Sequence, residues 1–319
     1  MVNKNHPELW KADIMKSVDL YNDWFIHFAP ATFRNTRADT SVMVEDALRI
    51  TDCLRNLTVE VLKENPRILP ILRMSTCPPI AKDRLVGLSG ASKSLVENME
   101  NRICPKLSSR KTDAELISEL EKIISVIHKM YDPDIFPWIS NNTAPAELEL
   151  FRASTIIADR LCGAVADPII RNAQEKRQLQ KIEQYLTTRG YSLVAEAKFN
   201  EMPNGTFSFR TNVPVFIDPT KQRTVNIPVD ILIKPFATNE SSIPIFIEAK
   251  SAGDFANVNK RRKEEAVKMQ QLKNTFSETV SYNLFLCGYF DSAYLGYEAA
   301  EGIDWVWEHR IEDLEKLGI

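Results

Sequence analysis

Two stretches decide the fold of the C-terminal half of the chain: Val-Asn-Ile-Pro-Val-Asp-Ile-Leu-Ile-Lys at residues 225–234 and Ile-Pro-Ile-Phe-Ile-Glu-Ala-Lys at residues 243–250. Both are apolar runs rich in β-branched residues, which is typical of strands. A polar loop centred near Asn239 separates them. If the two runs pair as antiparallel neighbours about this loop, Asp230 lies beside Glu248.

The alternation of side chains along a strand sorts the second run into two faces. Glu248 and Lys250 project together with Phe246, while Ile247 and Ala249 point the other way. One face of the predicted hairpin therefore collects two acids and an amine. Two carboxylates held this close repel each other unless one takes a proton or a cation binds between them.

This arrangement suits a hard divalent cation. The carboxylates of Asp230 and Glu248, the backbone carbonyl of Ala249 and a substrate phosphate supply the oxygen ligands that Mg²⁺ prefers. The ammonium of Lys250 can orient an attacking water or offset the charge that develops in the transition state. The pattern indicates a metal-dependent nuclease. A cross-strand ion pair on a solvated sheet face is the simpler alternative, and Glu-x-Lys alone is a weak motif.

Composition limits the classes of protein that remain. The 319 residues carry a formal net charge of −3, so any binding to nucleic acid must come from local basic patches. The five cysteines and four histidines are scattered singly, without Cys-x-x-Cys, which argues against a disulfide framework and a zinc site. The start of the chain lacks a signal-peptide pattern and no apolar run is long enough to span a membrane, so we expect a cytoplasmic protein with no membrane partner.

The two halves of the chain differ in the spacing of their apolar residues. The first 86 residues contain no glycine, and apolar residues recur at helical intervals in segments 9–29, 40–64, 91–103, 112–130 and 145–165, with proline breaks that include Pro30. A polar helix is predicted after Pro168, ending at Gly190. Strands follow at 192–199 and 206–217, joined as a hairpin through Asn204-Gly205. The two opening stretches, a helix at 259–276, a strand at 282–289 and a last helix complete the chain.

These patterns predict an α+β (α/β) fold with two domains. Residues 1–166 would form an all-helical domain, and residues 167–319 a domain with a central mixed sheet flanked by helices.

The order of these elements resembles the PD-(D/E)XK nuclease fold over roughly residues 168–290. Val229-Asp230 stands where that superfamily usually has Pro-Asp, and Glu248-Ala249-Lys250 matches its second motif without change. The longer string at 248–266, Glu-Ala-Lys-Ser-Ala-Gly-Asp-Phe-Ala-Asn-Val-Asn-Lys-Arg-Arg-Lys-Glu-Glu-Ala, resembles type II restriction endonucleases of the XamI-type family. Segments 17–25 and 77–88 fit the same comparison, which extends it over most of the chain.

The resemblance implies Mg²⁺-dependent hydrolysis of double-stranded DNA at a short specific site by a homodimer, with a cognate DNA methyltransferase protecting the host. By motif match, Asp230 and Glu248 take the metal-ligand positions and Lys250 takes the catalytic lysine position. Glu175, on the helix before the sheet, is a candidate additional acid, or simply a solvated helix charge.

Two basic groups are candidates for holding DNA. Lys260-Arg261-Arg262-Lys263 begins the helix after the catalytic strand, where backbone N–H groups and the helix dipole also favour phosphate; alternatively, Glu264 and Glu265 neutralise this run as a solvated helix face. The second group lies in the predicted helical domain and consists of Lys82, Arg84, Lys93, Arg102, Lys106, Arg110 and Lys111.

Aromatic residues near the start of the chain could either pack in the core or stack on DNA bases. Trp24, Phe25 and Phe28 have helical spacing, which favours a place in the core over a base-stacking platform.

Three functions stay open at this point. The first is a site-specific type II restriction endonuclease. The second is a repair or junction nuclease that recognises DNA shape. The third is a non-catalytic DNA-binding protein whose acid pair is structural.

Overall fold

A computed structural model describes residues 2–107, 111–195, 198–218, 220, 222–237, 242–255, 258–278 and 280–319. The chain forms two compact units. Residues 29–169 make up the helical unit, and residues 1–28 together with 170–319 make up the sheet unit. The predicted division at 166/167 placed the first 28 residues in the helical domain, whereas they cluster with the sheet. The α+β architecture itself is confirmed, with a helical N-terminal region and a mixed sheet flanked by helices.

The helical unit is built on a core of aliphatic side chains. Its members include Leu62, Leu72, Leu120 and Ile157, each fully buried. Its helices are parts of α1 (Pro7–Ile50) and α8 (Glu147–Thr188), with α2 (Val59–Glu64), α3 (Leu69–Met74), α4 (Lys82–Ser89), α5 (Lys93–Met99), α6 (Asp113–Met130) and α7 (Pro137–Asn141). None of the helices in the described part of the chain combines the length and the apolar character that crossing a membrane requires.

The two long helices pass through prolines that were predicted to interrupt them. Pro30 lies inside α1 and Pro168 lies inside α8. A proline removes one helical N–H and disfavours the helix by about 3 kcal/mol, but residues on both sides of each proline keep the helical period, and their helical turns outweigh that cost. The expected breaks are therefore wrong. Each proline lies within two residues of a division between the units.

Within the described residues, the sheet has six strands in sequential order: β1 (Ser192–Leu193), β2 (Thr206–Phe216), β3 (Thr224–Lys234), β4 (Ile245–Ala252), β5 (Tyr282–Gly288) and β6 (Asp304–Trp307). Strands β2, β3 and β4 form an antiparallel meander, and β4, β5 and β6 are parallel. Helix α9 (Val258–Phe276) connects β4 to β5, and α10 (Ser292–Ala300) connects β5 to β6.

Three predictions about this region need correction. Among the described residues of the run 192–199, only the first two form a strand. Strand β1 runs parallel to β2, so Asn204-Gly205 does not close a hairpin. The chain instead returns through a 3-10 turn at Phe199–Glu201 before β2 begins. Strand β6 was missed because it has only four residues, and the last predicted helix is a 3-10 segment, Glu308–Leu317, with non-helical backbone at Arg310.

Alternating side chains of the sheet contribute to two separate cores. Phe246, Leu284 and Trp305 pack with Met269 and Leu272 of α9 on one face. The other core combines apolar residues of the last turns of α8 with alternate strand residues: Ile182, Leu186, Ile231, Ile247, Phe285 and Val306. Burial on both faces explains why β4 and β5 read as nearly continuous apolar runs. A charged side chain on this sheet is therefore out of place unless it has a partner.

Candidate active site

The predicted register of the β3–β4 hairpin is confirmed. Ile231 pairs with Ile247, and continuing the same register by one residue sets Asp230 opposite Glu248. The ladder ends at this point, so the two acids stand where the strands separate. Pro228, just beyond, has no N–H to donate, which suits a strand segment that has lost one neighbour. The loop centre at Asn239 lies outside the described residues.

A cavity of about 300 Å³ opens at the end of the ladder. Asp230, Glu248 and Lys250 all line it, as the sequence predicted for a shared face. The remaining lining residues come from α8, β4 and α9: Arg171, Gln174, Glu175, Gln178, Ala249, Ser251 and Glu264. The walls are mostly polar and charged, which distinguishes this cavity from a packing defect in an apolar core.

The surroundings of Asp230 disfavour its negatively charged form. Its Oδ2 accepts a hydrogen bond from the backbone N–H of Ala249 at 3.0 Å. Burial, and then the negative charge of Glu248, raise the pKa of Asp230 to about 6, against the opposing influence of Lys250. An acid with this pKa gains from any cation that binds between the two carboxylates.

Glu248 is fully buried and lies between two lysines. Lys268 Nζ is 2.7 Å from Glu248 Oε1 and also donates to the carbonyl of Pro228 at 3.0 Å. Lys250 Nζ is 3.4 Å from Glu248 Oε2. The alternative interpretation of a solvated ion pair on an exposed face does not describe this geometry, because the side chain of Glu248 is 3% exposed.

Sequence reasoning missed a second layer of ionisable residues behind Lys250. Glu265 on α9 is 1% exposed, lies 3.6 Å from Lys250 Nζ through Oε1, and accepts a hydrogen bond from Tyr294 Oη at 3.0 Å. Glu298 on α10 is fully buried beside it. The available signal was helical spacing: Glu265 and Lys268 recur on the same face of α9 as the apolar Met269 and Leu272, where exposed charges would not be expected.

Glu175 lines the cavity but has an external partner. Arg210 Nη2 lies 2.8 Å from Glu175 Oε1; the side chain of Arg210 is largely exposed, and that of Glu175 is half-buried. Arg210 has a left-handed backbone with φ of 51° and falls opposite Asp230 in the β2–β3 register. A non-glycine residue in this conformation is uncommon, and such residues concentrate at functional sites.

The candidate DNA contacts are only partly described. The side chains of Lys260 and Arg261 lie outside the described residues, as does Arg110. The Arg262 guanidinium lies 3.5 Å from the centre of the Tyr297 ring, and Lys263 is exposed. In the helical unit, Lys82 and Arg84 lie exposed in the first turn of α4.

The aromatic residues of α1 do not join a core as predicted. Phe25 is 40% exposed, and Trp24 and Phe28 stack on each other at 5.2 Å while remaining half-buried. Arg177 covers the Trp24 ring at 5.0 Å. The aromatic residues that follow the helical period in this segment therefore lie on a partly exposed surface.

The residues present at the cavity fit a hard divalent ion. Among the described residues, no cluster of three or more His, Cys, Asp or Glu side chains forms a metal centre. An ion bound here would depend on Asp230, Glu248 and further oxygen atoms from the backbone, water or substrate, a ligand set that Mg²⁺ accepts. The raised pKa of Asp230 supports this fit, because a cation would relieve the repulsion between the acids.

Comparison with known proteins agrees with this chemistry. The sequence model of the XamI restriction endonuclease family matches residues 52–307. A protein of Streptomyces albus G named type II restriction enzyme SalI is 51% identical over 323 aligned positions, which cover 100% of both chains. No solved structure matches the chain.

Proposed function

The chain belongs to the XamI restriction endonuclease family, and on that premise we propose that the cavity at the end of β3 and β4 is its active site. The protein is a type II restriction endonuclease, a site-specific deoxyribonuclease that acts on DNA. Enzymes of this class generally need a divalent metal ion. Membership of this family favours a restriction endonuclease over both alternatives, the shape-selective repair nuclease and the non-catalytic DNA-binding protein.

One observation carries the assignment of the site: two carboxylates and a lysine line a single cavity where a strand ladder ends. In the proposal, Asp230, Glu248 and the carbonyl of Ala249 hold Mg²⁺. The ion would lower the pKa of a bound water and withdraw charge from the scissile phosphate. Lys250, whose ammonium faces the same cavity, would orient the attacking water and offset negative charge on the phosphate oxygens.

Glu175 has a secondary place in this proposal. Its carboxylate faces the same cavity but is paired with Arg210, so it could contact an ion through water once Arg210 moves to a phosphate. The alternative interpretation, a solvated helix charge, predicts instead that Glu175→Gln cleaves at the normal rate. The single-turnover cleavage rate of this variant separates the two.

The test of the active site uses plasmid cleavage with end sequencing. We expect discrete fragments with Mg²⁺, no cleavage with a chelator, and loss of cleavage in Asp230→Ala, Glu248→Ala and Lys250→Ala. Glu301→Ala, an exposed acid at the end of α10, is the matched control and should cleave normally. Normal cleavage by the Asp230 or Glu248 variant would refute the assignment of the site, while leaving family membership intact.

DNA contact is proposed for both units. Lys260, Arg261, Arg262 and Lys263 would position the backbone near the scissile bond, and the helical unit would read the site, with Lys82 and Arg84 among its contacts. Phosphate contacts of this kind make affinity depend on salt. Replacing one of these residues by alanine should reduce the slope of log affinity against log salt by about 1 for each lost phosphate contact.

Two partners complete the proposal. A homodimer would deliver one active site to each strand, and a cognate methyltransferase would protect the host DNA. Sedimentation with and without DNA tests the first, and a methyltransferase reading frame beside the gene tests the second.

A further inference from the structure

A buried acid stands behind the lysine of the proposed active site. Lys250 Nζ lies between Glu248 Oε2 at 3.4 Å and Glu265 Oε1 at 3.6 Å. Glu265 Oε1 makes no hydrogen bond among the described residues, and the cation that faces it is the ammonium of Lys250. The other oxygen, Oε2, accepts the hydrogen bond of Tyr294 at 3.0 Å, which holds the carboxylate in orientation.

The two acids that flank Lys250 differ in what else they face. Glu248 lines the cavity and already binds Lys268 at 2.7 Å. Glu265 is not among the described residues that line the cavity, and it lies on α9, which packs on the sheet face that carries Phe246. An acid that serves as a metal ligand cannot also be the sole anchor of the neighbouring ammonium, because its charge is shared with the ion. Glu265 can anchor Lys250 without touching an ion or a substrate.

From this geometry we propose that Glu265 is a positioning residue for catalysis: it holds the Lys250 ammonium at the cavity wall, and Tyr294 orients Glu265 for that purpose. The inference rests on the proposed function, in which Lys250 acts on the scissile phosphate. A flexible lysine stem has several rotatable bonds, and loss of its anchor would let the ammonium leave the position that catalysis needs. A misplacement of about 1 Å can cost roughly a hundredfold in rate.

Glu298 offers a matched comparison within the same cluster. It is fully buried, and its carboxyl group faces the carboxyl group of Glu265 and the hydroxyl of Tyr294. Burial, and then the charge of Glu265, raise the pKa of Glu298 to about 8, which favours its protonated form more than in an ordinary glutamate. Glutamine at this position imitates the protonated acid, whereas glutamine at Glu265 removes the charge that faces Lys250.

The experiment compares Glu265→Gln, Tyr294→Phe and Glu298→Gln in the full-length protein. The readouts are kcat and KM for cleavage of a plasmid, the dissociation constant for Mn²⁺, and the thermal midpoint. For Glu265→Gln we expect kcat to fall by roughly tenfold to a hundredfold with KM and the Mn²⁺ dissociation constant within about twofold of wild type. Tyr294→Phe should lower kcat by less, and Glu298→Gln should keep it. Glu265→Asp retains the charge and should recover part of the loss.

Two outcomes would overturn the inference. One is a kcat for Glu265→Gln within twofold of wild type. The other is an equal loss in Glu298→Gln, which would mean that packing of the acids matters and the Lys250 anchor does not. If Glu265→Gln does not fold, the same decision rests on Glu265→Asp and Tyr294→Phe, and full activity in both refutes the proposal. Normal cleavage by Lys250→Ala would instead refute the proposed function, so the two failures are distinguishable.

Discussion

Replacing Asp230 by asparagine should make the metal-free protein more stable at neutral pH while removing its activity. The reason is the raised pKa of this acid, about 6 against an ordinary 3.8, caused first by burial and then by the charge of Glu248. A folded state that raises the pKa of an acid binds its proton more tightly than the unfolded state does. Stability therefore falls as pH rises from about 4 to about 6, and the loss is complete above that range.

The magnitude follows from the shift. A difference of about 2 pKa units corresponds to about 3 kcal/mol, fully expressed at pH 7.5 and reduced to about 1 kcal/mol at pH 4.5. The value is an upper limit, because relaxation and water at the cavity reduce the cost of the charge. The side-chain amide introduced by Asp230→Asn would still offer a carbonyl oxygen to the backbone N–H of Ala249, so the hydrogen bond at this position is retained in the variant.

The assay is urea unfolding of wild type and Asp230→Asn in chelator at the two pH values. Asp313→Asn is the contrasting control: this buried acid is hydrogen-bonded by Lys316 and Arg310, which outweigh its desolvation and lower its pKa. It should destabilise the protein at pH 7.5. The reasoning is refuted if Asp230→Asn is no more stable than wild type at pH 7.5. It is also refuted if the gain in stability at pH 4.5 is as large as the gain at pH 7.5.

Two further outcomes are expected. Gly288→Ala should lower the free energy of unfolding by about 2–5 kcal/mol in urea titrations, because Gly288 has φ of 102° and an added Cβ would lie 2.1 Å from the carbonyl oxygen of Ala252. The control is Gly296→Ala, which has open space around it. This variant should raise the free energy of unfolding by about 0.4–1 kcal/mol. Lys268→Gln should bind Mn²⁺ several-fold more tightly by calorimetry, since it removes a positive charge 2.7 Å from Glu248 Oε1; weaker binding would contradict the proposed site.

Local pattern was sufficient for much of the fold. The two apolar runs around Asp230 and Glu248, paired about a loop centred near Asn239, predicted the register of β3 and β4. The helical period likewise predicted α6 and α9 closely. The same local signals failed at Pro30, where helix continued on both sides of a residue that disfavours it.

A mixed sheet was predicted, but the parallel pairing of its first and last strands was not, because parallel pairing joins segments through long connections. Asn204-Gly205 is a good hairpin signal, yet β1 lies parallel to β2. The short strand β6 is stabilised by its pairing with β5, and nothing in its four residues marks it.

The sequence by itself determined which residues meet at the proposed site, since an aspartate and Glu-x-Lys on paired strands are brought together by hairpin geometry alone. Only the tertiary structure decided which other charges surround them. Glu265 and Lys268 reach Lys250 and Glu248 because α9 packs across the sheet, and Tyr294 arrives from α10 after another strand has intervened. Such contacts depend on the docking of helices, for which periodicity indicates the buried face but not the residues that it meets.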